Sequence, residues 1–380
     1  MITASDLVSK AQIYLNSIST RVEASDWYEF FSEAIREVRR GRTFPWQRRQ
    51  QDFEFFTDVF QYPLSADFDS FIKPNDRMFE KSSDGPWLIY GRDKDFFANQ
   101  NYGLALSWNA EVLSLLARIN GQSDLKIDGF EDEVTNYTAA NDTANLYANI
   151  NDFKEGSGSL QFDIVNVLGT AIVKRTYTDP LDITDFIRQN GSAFLWVYLP
   201  SAITSIGLQI GTSASAYYEV TGITTDFLGQ SLSAGWHLVQ FKLASKTTVG
   251  APDTTNTVFM SISIVHGGIS ATGFLIDGLF LRLGKKMELP YNSKYVIKSN
   301  AGAYQEKILL ATDEILGDET FEAVVMWKGL WHAAMWKYTD EDIVANAEAK
   351  YKQCVIDFNR RYPSTEAPLQ SNYYKRFNSF

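Results

Sequence analysis

The chain has 380 residues, 45% of them hydrophobic, which is enough for a sizeable core and too apolar for a disordered polymer. Thirty-five basic residues against 46 acidic ones leave a net charge of −11, the wrong sign for a general nucleic-acid binder. The single cysteine, Cys354, excludes an internal disulfide and argues against a four-ligand structural zinc.

The N-terminal stretch Met1 to Asp6 has no basic region leading into an apolar run, so no signal peptide is expected. No run of about 18 apolar residues occurs, which predicts no membrane span and folding in a reducing cytoplasm. Ser5 and Asp6 can cap a first helix carrying Leu7, Ala11, Tyr14, Leu15 and Ile18 on one face. Ser25 can cap a second, with Trp27, Phe30, Phe31, Ala34, Ile35 and Val38 as its apolar stripe and Gly41 as its stop. Arg36, Arg39, Arg40 and Arg42 cluster at its end. Basic residues there complement the helix dipole. The sharper reading is a docking patch for an acidic partner protein. From Gln51 to Leu64 the pattern shifts toward period 2, and Trp87 to Tyr90 and Tyr102 to Ile119 are apolar-rich. A small β-element is expected across this flank.

Residues 125–285 read as one all-β block. Ser159 to Ile164 alternates apolar and polar residues with period 2. Phe194 to Leu199 is apolar throughout, like a strand covered on both faces. Ile206 to Ile210, Trp236 to Leu243, Val258 to Val265 and Phe274 to Leu283 follow, separated by turns such as Asn190-Gly191 and Gly267-Gly268. Many short strands with such turns indicate a sandwich or jelly roll. Inside it, Trp196 and Trp236 read as core or its edge, and the pair Tyr217-Tyr218 is the exposed aromatic candidate.

After the block, Tyr295-Val296-Ile297 reads as a returning strand. Asp318 can cap a helix through Phe321, Val324, Val325, Leu330, Trp331 and Met335. A second helix follows Thr339 and carries Ile343, Ala347, Tyr351, Cys354, Val355 and Phe358, with Pro363 as its stop. Residues 364–380 have no periodic face, yet hold Tyr373, Tyr374, Lys375, Arg376, Phe377 and Phe380. Such a segment suits an arm that orders on a partner. The expected fold is therefore α+β. A helical domain (residues 1–124 and 286–363) with a small β-element is interrupted by an inserted sandwich (125–285) and followed by an arm (364–380).

Two resemblances accompany this reading. Phe130-Glu131, Glu155 to Leu160, Gly235-Trp236-His237 and Ile276 to Leu279 resemble the galactose-binding-like jelly rolls, a fold shared by carbohydrate-binding modules. That resemblance implies a structural calcium, whose ligands here would be Asp128, Glu155 and Asp277. The flanks resemble something else. Trp27 to Arg40, Phe60 to Phe68, Val324 to Trp331 and the helix with Ala349-Lys350-Tyr351 are similar to the head-to-tail adaptors of tailed bacteriophages. That family implies a structural virion protein made in the host cytoplasm. It forms a ring, usually of twelve copies, between the portal and the tail or nozzle proteins, and lets double-stranded DNA pass without sequence-specific binding. The arm would reach the portal.

No enzymatic signature is legible. His237, His266 and His332 share no metal-ligand spacing, and nucleophile elbow, P-loop and Rossmann patterns are absent. The two functions expected are the virion ring subunit and, as the alternative, a carbohydrate-binding module or adhesin on a helical carrier.

Overall fold

Strands dominate the middle of this chain, and its long helices lie toward its two ends. The computed structural model describes residues 2–15, 22–40, 42–72, 77–80, 83–88, 104–109, 114–119, 123–132, 134–337 and 341–363. The chain divides into two compact units. One holds residues 1–51, 65–77 and 289–380; the other holds 52–64 and 78–288.

The first unit contains the long helices: α1 (Ala4–Leu15), α2 (Ala24–Arg39), α4 (Glu319–Lys337) and α5 (Glu341–Arg361). A short α3 (Thr184–Arg188) belongs to the second unit. Apolar residues at i, i+3, i+4 and i+7 give α2 a buried stripe of Trp27, Phe31, Ala34, Ile35 and Val38. That stripe shares one core with Phe321, Val324, Val325, Leu330 and Trp331 of α4. The helices pack closely at Gly329, where a Cβ would enter the Phe31 ring. Asp318 caps α4 as the sequence predicts, its Oδ1 accepting from Phe321 N at 2.9 Å. Ser25 does not cap α2; the helix starts one residue earlier, and Ser25 lies inside its first turn. Four two-residue strands form a small sheet in the order Ile2–Thr3, Glu314–Ile315, Ile297–Lys298, Tyr304–Gln305.

From Arg48 to Ile119 every element described is a strand, where the sequence leads one to expect only a small β-element within a helical domain. Gln61–Pro63, Ser114–Ile119 and Leu104–Asn109 pair in that order as an antiparallel sheet. Leu104–Asn109 and Ser114–Ile119 are rich in Ala and Leu, which favour a helix; cross-strand pairing overrides that weak preference.

The sandwich dominates the second unit. One six-stranded sheet runs Tyr137–Asn141, Thr170–Leu181, Thr257–Val265, Ser205–Ser213, Ala216–Ile223, Thr247–Val249. The facing sheet runs Thr143–Asn149, Ser159–Ile164, Ala271–Arg282, Ser192–Leu199, Gly235–Lys242, with Asp124–Asp128 also paired to Ala271–Arg282. Between them lies one core, including Val173, Leu195, Val197, Leu208, Ile210, Val239, Met260, Ile262, Phe274 and Ile276. The molecule is mostly β, and its central architecture is a β-sandwich. The arm residues Tyr373, Tyr374, Lys375, Arg376, Phe377 and Phe380 lie outside the described residues.

Candidate functional site

Pleating sends alternate residues of the six-stranded sheet outward, and the ladder register aligns them in rows. One row is Thr176, Phe259, Gly211, Tyr217 and Val249. The next is Lys174, Ser261, Gln209, Glu219 and Thr247. A third begins Ile172, Ser263, Gly207.

Side-chain size gives this face its relief. The two central strands present Ser261, Ser263, Gly207 and Gly211 together with Gln209 and Phe259, whereas the strands beside them present Lys174 and Ile172 on one side and Tyr217 and Glu219 on the other. The small residues leave a trough between the taller ones, with Gln209 and Phe259 on its floor. Its floor is packed tightly: a Cβ on Gly211 would lie 2.5 Å from both the Ala216 carbonyl oxygen and Tyr217 Cα. Tyr217 is half-buried, and its ring centroid is 6.3 Å from that of Phe259, which is buried. Gln209, on a central strand, donates through Nε2 to Glu219 Oε1 on the flanking strand at 2.8 Å, so two polar heads are held in fixed relation.

The sequence treats Tyr217-Tyr218 as one exposed pair. The structure separates them, because adjacent strand residues face opposite ways: Tyr217 points outward and Tyr218 packs on the core. Lys174, Gln209, Glu219 and Ser261 were missed, since polar alternation reads simply as a solvated face. A signal was present in Gly207 and Gly211, four apart on one strand and therefore on one face.

Trp196 and Trp236 also differ from expectation. Neither belongs to the core; both are half-buried on the outward face of the other sheet. The Lys154 ammonium lies 5.7 Å from the Trp196 ring and 5.3 Å from the Trp236 ring, and Trp236 Nε1 donates to Asp152 Oδ1 at 3.1 Å. The loop carrying Lys154 is pinned by Asp277, whose Oδ2 accepts the amides of Lys154 (2.6 Å) and Glu155 (2.7 Å). Burial pushes the Asp277 carboxyl above the usual carboxylate range, and it does the same to Glu155.

The three acids tied to calcium by resemblance are not brought together as a ligand set. Asp128 is paired with Arg175, and Asp277 is committed to backbone amides. Among the described residues, no group of three or more His, Cys, Asp or Glu is placed to hold a metal ion.

The arginine patch also separates. Arg42 is buried, its guanidinium donating to the carbonyls of Val38 (3.1 Å) and Tyr362 (3.1 Å) and to Asn359 Oδ1 (2.6 Å). It is a structural clamp. Arg40 is exposed, and Arg36 and Arg39 line a cavity of their own unit.

No protein-family model matches the sequence, and neither does any curated protein. Solved structures similar to part of it include a family 11 carbohydrate-binding module from Clostridium thermocellum in complex with a beta-1,3-1,4-mixed-linked tetrasaccharide. It is 10% identical, with 43% of this chain and 96% of that chain covered and a TM-score of 0.31. A family 30 module of a Clostridium thermocellum cellulosomal cellulase is 12% identical over 43% of this chain and 96% of its own, at a TM-score of 0.31. A second family 30 structure covers 43% and 98%, at 12% identity and a TM-score of 0.32.

Proposed function

We propose that the sandwich is a non-catalytic carbohydrate-binding module whose ligand lies in the trough of the six-stranded sheet. The observation that carries this reading is the pair of adjacent rows. Tyr217 offers a ring to the apolar C–H face of a sugar, and Lys174, Gln209 and Glu219 stand one residue pair away to meet its hydroxyls. Lysine donates, glutamate accepts, and glutamine does both, which matches the mixed character of sugar hydroxyls. One cation and one anion in the row favour a neutral glycan. Hydrolysis would need two facing carboxylates, and these rows contribute only Glu219.

Affinity electrophoresis of the full chain through gels containing neutral polysaccharides tests the proposal. Retardation by at least one glycan, lost in Tyr217→Ala, is expected. No retardation by any of them, or equal retardation of the variant, would overturn it. The ring-subunit reading draws on the flank resemblance alone, and a sedimentation mass of about twelve chains would be its evidence.

A further inference from the structure

Three cationic side chains converge on a small cavity in the helical unit. It has a volume of about 230 Å³ and is lined by Arg36 and Arg39 of α2, by Lys294, by Gln305 and Glu306, and by the apolar wall of Ile297. At roughly 30 Å³ per water, it has room for several waters or one small anion. Glu306 is the lone acid in that lining, and it sits 3.6 Å from Arg36 with both side chains largely exposed.

Arg39 decides what the cavity is for. Its Nη1 is buried and has no hydrogen-bond partner among the described residues. A buried cationic donor without an acceptor is costly. Burial pushes the Arg39 guanidinium below its ordinary value, and the charges of Asp69, Tyr295 and Glu306 restore this only in part. Dipole matching at the end of α2 explains why arginines are present there. It leaves Nη1 unaccounted for, because no helix-end carbonyl accepts from it.

We propose that this cavity binds a small oxyanion, a carboxylate or a phosphate, with Arg39 donating to it and Lys294 and Arg36 supplying charge. The lining carries three cations against one carboxylate, so an anion entering it reduces the local excess. Arginine's planar fork suits two oxygens of one group. The Arg36–Glu306 contact is long and exposed, and an incoming oxyanion can take Glu306's place beside Arg36.

The test is thermal unfolding of the full chain in sodium malonate, in sodium phosphate and in sodium chloride at matched ionic strength. A ligand that binds the native state raises the melting temperature by mass action. Malonate or phosphate should raise it beyond chloride in the parent. The response should vanish in Arg39→Met and need about tenfold more ligand in Lys294→Met. A response to malonate alone assigns a carboxylate, and one to phosphate alone assigns a phosphoryl group. Without ligand, Arg39→Met should melt close to the parent, because a buried donor without an acceptor has gone together with the partial pull of Asp69 and Glu306. Equal responses in parent and Arg39→Met, or no response beyond chloride in the parent, would overturn the proposal.

Discussion

Arg175 grips Asp128 with a single nitrogen: Nη1 lies 3.0 Å from Oδ1 and 3.0 Å from Oδ2 of the carboxylate. Asp128 also accepts the Phe130 amide at 2.8 Å and the hydroxyls of Tyr137 (2.9 Å) and Tyr177 (3.0 Å). Its side chain is 1% exposed. A guanidinium and three further donors thus occupy the lone pairs that a divalent ion would need. Removing Arg175 strands the buried Asp128 carboxylate, at a cost of about 3–5 kcal/mol, whereas removing Asp128 leaves Arg175 its second partner, Asp132. Arg175→Met should destabilise on that scale in urea denaturation, Asp128→Asn should cost less, and the double variant should lose clearly less than their sum. EDTA should leave the parent's melting temperature unchanged. A chelator-dependent drop would mean that an ion, not Arg175, holds this corner.

Gly211 is where the trough is most sensitive. A methyl there would meet the Ala216 carbonyl oxygen and Tyr217 Cα at 2.5 Å, and backbone atoms yield less readily than a side-chain tip. Gly211→Ala should therefore destabilise by about 1–3 kcal/mol and displace Tyr217. Tyr217→Ala should abolish glycan retardation at a smaller stability cost. The two variants together separate the shape of the floor from the ring that lies on it. Unchanged stability in Gly211→Ala would show that the strands can part without strain.

Much of the sandwich was legible because its strands repeat with period 2. Ser192–Leu199, Ser205–Ser213, Gly235–Lys242, Thr257–Val265 and Ala271–Arg282 lie within about three residues of their predicted ends. Thr170–Leu181 and Ala216–Ile223 were not legible, since lysine, arginine, threonine and a proline dilute the first and tyrosines facing both ways blur the second. Trp196 misled for a physical reason. A strand apolar on both faces need not be buried on both; here the outward face is covered in part, leaving Trp196 and Tyr198 half-buried while Phe194 is fully enclosed. Pairings across long separations, such as Arg175 with Asp128, have no sequence signal at all.

What encloses Phe194 also sets the limits of the fold. Phe56 packs on Phe194 with centroids 4.8 Å apart, and Tyr62 packs on Phe227 at 5.3 Å. The Tyr62 hydroxyl accepts the Phe56 amide at 2.7 Å, fixing the segment's bend. Residues 52–64 thus belong with the sandwich although they precede it by some sixty residues in sequence. A fragment of residues 125–285 should fold around its own core but expose Phe194, losing about 2–3 kcal/mol per aromatic uncovered. A fragment of residues 52–288 should have a higher denaturation midpoint and bind less hydrophobic dye. Equal midpoints would show that residues 52–64 add nothing to the sandwich.

His332 gives the helical unit an acid limit. Its side chain is 5% exposed on α4, and burial, with Lys328 nearby, pushes the imidazole from 6.5 down to about 4 against the opposing pull of Glu37. The unfolded chain accepts a proton near the ordinary value, so below it the unfolded state binds more protons than the folded one. The contribution is complete above pH 6.5 or so, is lost as pH falls toward about 4, and is flat below that. Its size is on the order of 3 kcal/mol. Asp277 and Glu155, whose carboxyls burial pushes up, act in the opposite sense, so the difference between variant and parent is the quantity to read. His332→Gln cannot titrate. Its stability, measured by urea denaturation at several pH values, should fall less steeply than the parent's between those two limits. Parallel curves across that window would mean that the imidazole takes its proton equally well in the folded state, and that the acid limit lies in another group.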